Sequence, residues 1–197
     1  MYKYRDYLID KKLHRTNPDF KNIGILGENQ MDEIIPNLFL GNYKAAYNKK
    51  LLDKNKIHRV IRICDNIESP FTNIQYLIIP VKDRDINVDD LKKNKKFKNY
   101  MISSLIKSIF FINDSLMHNM PILVHCKKGA SRSAYIIVLY LMIFYGLSKE
   151  DAIKYIREKR PIALRNYKNI EGWVDKIYNQ KDNITHSKVF LDNDMTI

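Results

Sequence analysis

Two cysteines, Cys64 and Cys126, are all that 197 residues contain. So few cannot form the disulfide framework of a small secreted fold, and both are expected as free thiols in a reducing compartment. Glycine and proline are scarce too, at six each, which excludes collagen-like and low-complexity chains. No Gly/Ser linker and no internal repeat interrupt the sequence. The longest apolar run, Ala134 to Leu147, contains tyrosines and falls short of the roughly 20 residues that span a bilayer. The opening MYKYRDYLIDKK lacks the apolar core of a secretion signal, so a cytoplasmic chain is expected. Acidic side chains are outnumbered, 22 against 34 Lys and Arg, for a formal net charge of +12. Such a surface suits phosphorylated protein, nucleic acid or anionic lipid alike. An AT-rich genome, which favours Lys, Asn and Ile, explains the charge equally well.

What is present reads as one α/β domain. Apolar residues make up 45% and charged residues 28%, the proportions of a chain that buries a proper core. A strand is expected over Glu33–Leu40, interrupted by Pro36, and a helix over Tyr43–Lys54. RVIRIC (Arg59–Cys64) and IQYLIIPV (Ile74–Val81) are β-branched-rich strands, and the apolar continuity of the second predicts a central position. Phe97–His118 carries the i, i+3, i+4 spacing of a long amphipathic helix. ILVH (Ile122–His125) reads as a short buried strand and Ser131 onward as a helix that stops near Gly146. Ser148 caps a further helix, with Asp151 in the place of the usual Glu or Gln, and Pro161 ends it. A last helix is expected around Ile170–Tyr178 and another, short one at Tyr4–Leu13. Strands alternating with helices predict a mainly parallel central sheet flanked by helices. The domain is expected over residues 31–180, with an N-terminal extension of 1–30 and a loose tail over 181–197.

Chemistry concentrates in PILVHCKKGASRSAYIIVLYLM, residues 121–142. A turn from Cys126 to Arg132 lies between a buried strand and a helix, where sites gather in open α/β sheets. Its backbone N–H groups (Lys127, Lys128, Gly129, Ala130, Ser131) can converge on an anion, helped by the positive end of the helix. Gly129 permits angles a Cβ forbids, and Arg132 adds a planar fork matched to two phosphate oxygens. The same field favours a thiolate. A cysteine at the floor of such a cradle is a nucleophile aimed at phosphorus. For Cys64, inside a strand, a buried structural thiol is the better reading.

These residues carry a resemblance. HCKKGASRS matches the His-Cys-x5-Arg-Ser/Thr signature of the cysteine-dependent protein tyrosine phosphatases, and Gly-x-Ser-Arg-Ser-Ala is most similar to their dual-specificity branch. NLFLGNYKAA (Asn37–Ala46) resembles that branch's opening, above all in poxvirus phosphatases, and AIKYIREKRPIAL (Ala152–Leu164) resembles the helix after the loop. The region of Trp173 resembles the final helix. The resemblance implies hydrolysis of phosphotyrosine and phosphoserine/threonine through a cysteinyl-phosphate, with Cys126 as nucleophile and Arg132 on the phosphate. It implies that Ser133 assists release of the sulfur and that His125 fixes the loop and tunes the thiolate. It also implies a general acid, and Asp83 occupies the place the Ile-Pro-x-x-Asp pattern assigns to it. Asp85, Asp89 and Asp90 compete for that role. No metal or other cofactor is called for, because Arg132 and the backbone neutralise the phosphate.

Lys127 and Lys128 depart from the pattern, since many members carry a small residue at the second position. They leave open a more anionic substrate, such as a phospholipid head group, while Ser-Arg-Ser-Ala argues against RNA 5′-phosphatases. A phosphopeptide-binding relative without catalysis is the alternative from another class, and Asp83 discriminates it. Poxvirus relatives imply a homodimer through the N-terminal segment and, with the AT-rich composition, a viral source acting in host cytoplasm or virion. Phosphorylated proteins are the expected partners.

Overall fold

A computed structural model describes residues 30–65, 69–81, 95–165 and 171–179. The expected helix at Tyr4–Leu13, the four candidate acids and the tail lie outside the described residues. Among the described residues five strands form one sheet: β1 (Met31–Ile35), β2 (Leu38–Gly41), β3 (Arg59–Ile63), β4 (Gln75–Ile79) and β5 (Ile122–His125). Their order is β1-β2-β5-β3-β4. Only the β1–β2 pair is antiparallel; β2–β5, β5–β3 and β3–β4 are parallel. The sheet is therefore mainly parallel, as expected, and its helices are α1 (Tyr43–Ala46), α2 (Lys49–Lys54), α3 (Lys95–Met117), α4 (Arg132–Tyr145), α5 (Lys149–Lys159) and α6 (Glu171–Tyr178).

Three expectations are corrected. The strand over Glu33–Leu40 is a hairpin, because Pro36 and Asn37 turn the chain. Asn37 takes φ +68, a left-handed conformation that Asn tolerates better than most residues, and its N–H donates to Glu33 Oε1 at 2.9 Å. The helix over Tyr43–Lys54 is two short helices. Asn42 Oδ1 accepts from the Ala45 N–H and Asn48 Oδ1 from the Leu51 N–H, both at 3.1 Å, so the second asparagine caps a new helix instead of continuing the first. Finally, β4 is at the edge of the sheet, and Ile78 remains 41% exposed. Its apolar run reflects packing on two faces, with Leu77 and Ile79 in one core and Tyr76 against another.

Strand alternation divides the core in two. Leu38, Leu40, Ile61, Ile63, Ile122 and Val124 join the larger cluster, which also takes in α4 and the buried faces of α3, α5 and α6. Phe39, Val60 and Leu123 point the other way, onto Leu52 and Ile57 under the short helices. Helix α4 is buried from Arg132 through Met142, which explains why it is apolar around its whole circumference. It ends at Gly146, φ +66. Ser148 caps α5 through the Asp151 N–H at 3.0 Å, as its sequence spacing predicted. Among the described residues no helix is long and apolar enough to cross a membrane. The parallel strands β2, β3, β4 and β5 all end at one edge of the sheet, and α4 starts there.

Candidate active site

At that edge β5 ends with His125, and Cys126 opens the turn into α4. The turn folds tightly against the end of β2. Gly129 has φ +65, and a Cβ there would stand 2.3 Å from the Gly41 carbonyl oxygen, so no larger residue fits. The Tyr43 N–H donates to the Lys127 carbonyl at 3.4 Å, tying the rim to α1. Folded this way, the turn surrounds sulfur with donors. The Gly129 N–H donates to Cys126 Sγ at 3.2 Å and the Ser133 hydroxyl at 3.3 Å. Cys126 is 2% exposed, and Ala130, Ser131, Arg132 and Ser133 are buried with it. Ser131 is the N-cap residue of α4 but its side chain makes no capping bond, so the helix amides are not taken by their own cap.

Burial by itself would push the Cys126 thiol up. Hydrogen bonds from the Ser133 side chain and backbone, the positive charge of Arg132 and a hydrogen bond from the Ala130 N–H outweigh it and hold the thiol below its ordinary range. His125 is held in neutral form, its pKa lowered to about 4 chiefly by burial and further by Arg62, against a backbone hydrogen bond to Cys126. Its Nδ1 lies 3.4 Å from the Cys126 carbonyl oxygen. A neutral, buried imidazole is a poor proton carrier near pH 7. Arg132 Nη1 donates to the Val81 carbonyl at 2.9 Å. The guanidinium is thus oriented by the last described residue of the segment that leads, two positions on, to Asp83. Lys127 and Lys128 are exposed, in contrast to the buried Gly129–Ser133 that follow them.

The sequence-predicted residues Cys126, Ser133, Arg132, His125, Gly129, Ala130 and Ser131 are therefore brought together, and the two lysine side chains are not. The family model for the dual specificity phosphatase catalytic domain matches residues 38–176 of this chain. The chain belongs to the dual specificity phosphatases. Human dual specificity protein phosphatase 22 is 30% identical over 138 residues, which cover 70% of this chain and 68% of that protein. Mouse dual specificity protein phosphatase 8 is 29% identical over 139 residues, and the chain spans 19% of its length. Among solved structures, the human tyrosine phosphatase-like serine/threonine/tyrosine-interacting protein superposes with a TM-score of 0.62 at 27% identity, over 79% of this chain and 97% of that one.

This dual specificity phosphatase holds no group of three or more His, Cys, Asp or Glu side chains suited to a metal ion among its described residues. Sequence reasoning missed the outer support of its loop. Arg160, at the end of α5, donates from Nε to the Gly129 carbonyl at 2.8 Å and from Nη1 to Asp32 Oδ2 at 2.5 Å. The only signal was the Arg-Pro ending of α5, which identifies a helix stop and says nothing about where the side chain goes.

Proposed function

We propose that this chain is a dual-specificity protein phosphatase that hydrolyses phosphotyrosine and phosphoserine/threonine esters. The observation that carries the reading is the pair of donors on Cys126 Sγ, Gly129 N–H and Ser133 Oγ, at the N-terminus of α4. Donors on sulfur stabilise the thiolate, which is the nucleophilic form. In the first step the thiolate attacks phosphorus in line with the ester oxygen; the S–P bond forms, the P–O bond breaks, and Asp83 gives its proton to the leaving oxygen. Arg132 and the inward amides hold the equatorial oxygens, whose charge they meet without rearranging. In the second step water attacks phosphorus and returns a proton to Asp83. The P–S bond breaks, and the Ser133 hydroxyl stabilises the departing thiolate. Residues 31–180 form the catalytic domain in this reading, and the chain works in the cytoplasm.

The test is phosphate release by wild type and Cys126→Ser from a peptide carrying phosphothreonine and phosphotyrosine, a phosphoinositide and a 5′-triphosphate RNA. Release from both peptide sites, lost in the variant, is the expected result. The exposed Lys127 and Lys128 at the rim favour the phosphoinositide as second reading, and turnover of that lipid alone would replace the substrate while keeping the chemistry. Binding of the peptide without release from any substrate would make the chain a phosphopeptide-binding module. Asp83→Asn is expected to slow release by about 10²–10³-fold, and Asp85→Asn by only a few-fold; reversed results would move the acid to Asp85. Sedimentation of the full chain and of one starting at Asn29 measures whether the N-terminal segment holds a homodimer.

A further inference from the structure

We propose that Arg160 is a positioning residue of the phosphate loop, which turns the loop's amides toward Cys126 by holding the Gly129 carbonyl from behind, with Asp32 as its anchor. The inference rests on the phosphatase reading for its meaning but not for its test. In a planar trans peptide the C=O and the following N–H point in opposite directions. Arg160 Nε draws the Gly129 carbonyl outward at 2.8 Å, so the Ala130 N–H of the same peptide must face inward, toward the sulfur on which it acts. One residue later the Leu164 N–H draws the Ala130 carbonyl outward at 2.7 Å, which turns the Ser131 N–H inward by the same geometry. With the Tyr43 N–H on the Lys127 carbonyl, three loop carbonyls are held from outside.

The support is specific. Arg160 is 2% exposed, an arginine committed to the interior, and it reaches Gly129 and Asp32 across 31 and 128 residues of sequence. Asp32 is in β1 and takes part of the guanidinium's charge, so the geometry assigns Arg160 an orienting rather than a purely attractive role. Leu164 adopts φ +58, a conformation leucine takes only when its surroundings impose it. Arg157 supplies that constraint, with Nε on the Ala163 carbonyl at 3.4 Å and Nη2 on the Leu164 carbonyl. The end of α5 and the turn after it thus form the back wall of the cradle.

Arg160→Lys, Arg160→Met and Asp32→Asn separate orientation from charge. Lysine keeps the positive charge but cannot span both partners in the same geometry. Asparagine leaves the Arg160 charge unbalanced. If charge alone mattered, Arg160→Lys would behave as wild type and Asp32→Asn would make Cys126 alkylate at lower pH. Positioning predicts the opposite. Both Arg160 variants should raise the midpoint pH of Cys126 alkylation by iodoacetamide, by about one unit in Arg160→Met, and Asp32→Asn should raise it less. Turnover of a phosphotyrosine peptide should fall by about 10–100-fold, the range in which supporting partners commonly act, with the loss in kcat exceeding the change in KM. Alkylation is read without substrate. Raised midpoints with a wild type inactive on every ester would keep the positioning and sink the phosphatase. Active, folded variants with the wild-type midpoint would overturn the proposal. Should Arg160→Met fail to fold, Arg160→Lys and Asp32→Asn decide.

Discussion

Cys64 and Cys126 follow neighbouring parallel strands, β3 and β5, at the same edge of the sheet, and both are buried. Burial raises both thiols, and Arg132 lowers both. Yet Cys64 is pushed up to about 11, by burial first and then by the nearby Cys126, while Cys126 is held below its ordinary value. Arg132 acts in the same direction on both. What differs is the set of donors: hydrogen bonds from Ser133 and the loop amides act on Cys126, whereas the influences on Cys64 are burial and neighbouring charges. A positive charge nearby is therefore not enough to make a reactive thiol in this fold. N–H and O–H groups must also be aimed at the sulfur.

Replacing each cysteine tests the contrast most severely. Cys126→Ser should abolish peptide dephosphorylation, by at least about 10⁴-fold, while Cys64→Ser should stay within about twofold of wild type. Comparable losses at both positions, measured side by side, would collapse the distinction. Arg132→Lys comes next. It keeps the charge that both cysteines feel but loses the fork, and kcat should fall by about 10²–10³-fold while Cys64 stays inert to iodoacetamide near pH 7.

His125 sharpens the comparison through stability. Its pKa is lowered to about 4 in the fold, from an ordinary value of 6.5, so the unfolded chain takes up a proton across that window and the native chain does not. Stability should therefore fall as pH drops from about 6.5 to 4 and be flat in this contribution above it, with a total on the order of 3 kcal/mol. Urea midpoints against pH would show it, and His125→Gln should flatten the slope. Among the residues around the sulfur the smallest effect is expected from Ser133→Ala, about tenfold in kcat. The midpoint for Cys126 alkylation should move upward, toward the behaviour of Cys64. An unchanged midpoint would assign the low thiol pKa to the backbone amides and Arg132.

Much of the site and of the fold is legible in the sequence. The turn between β5 and α4 is contiguous, so the residue types from His125 to Ser133 describe its chemistry without reference to the rest of the chain. Helix α4 announces itself by apolar density, α5 by Ser148 and Asp151, and both caps and periodicity act over three or four residues. Sequence and fold part where short-range pattern meets long-range placement. An apolar run in β4 looks the same whether it lies mid-sheet or at the edge, since helices cover apolar faces in either place. Asn48 is an acceptable helix residue until its side chain is seen to cap α2.

Sequence alone was enough to single out Cys126, Gly129, Arg132 and Ser133, because all lie within one short stretch whose local backbone brings them together. Tertiary structure alone decided how that stretch is aimed. The Val81 carbonyl on Arg132, 51 residues apart, and the Arg160 bridge from Gly129 to Asp32 join segments that meet only once the strands are ordered in the sheet. Hydrogen bonds need partners within about 3 Å, and no spacing along a chain encodes which distant groups the fold will bring that close.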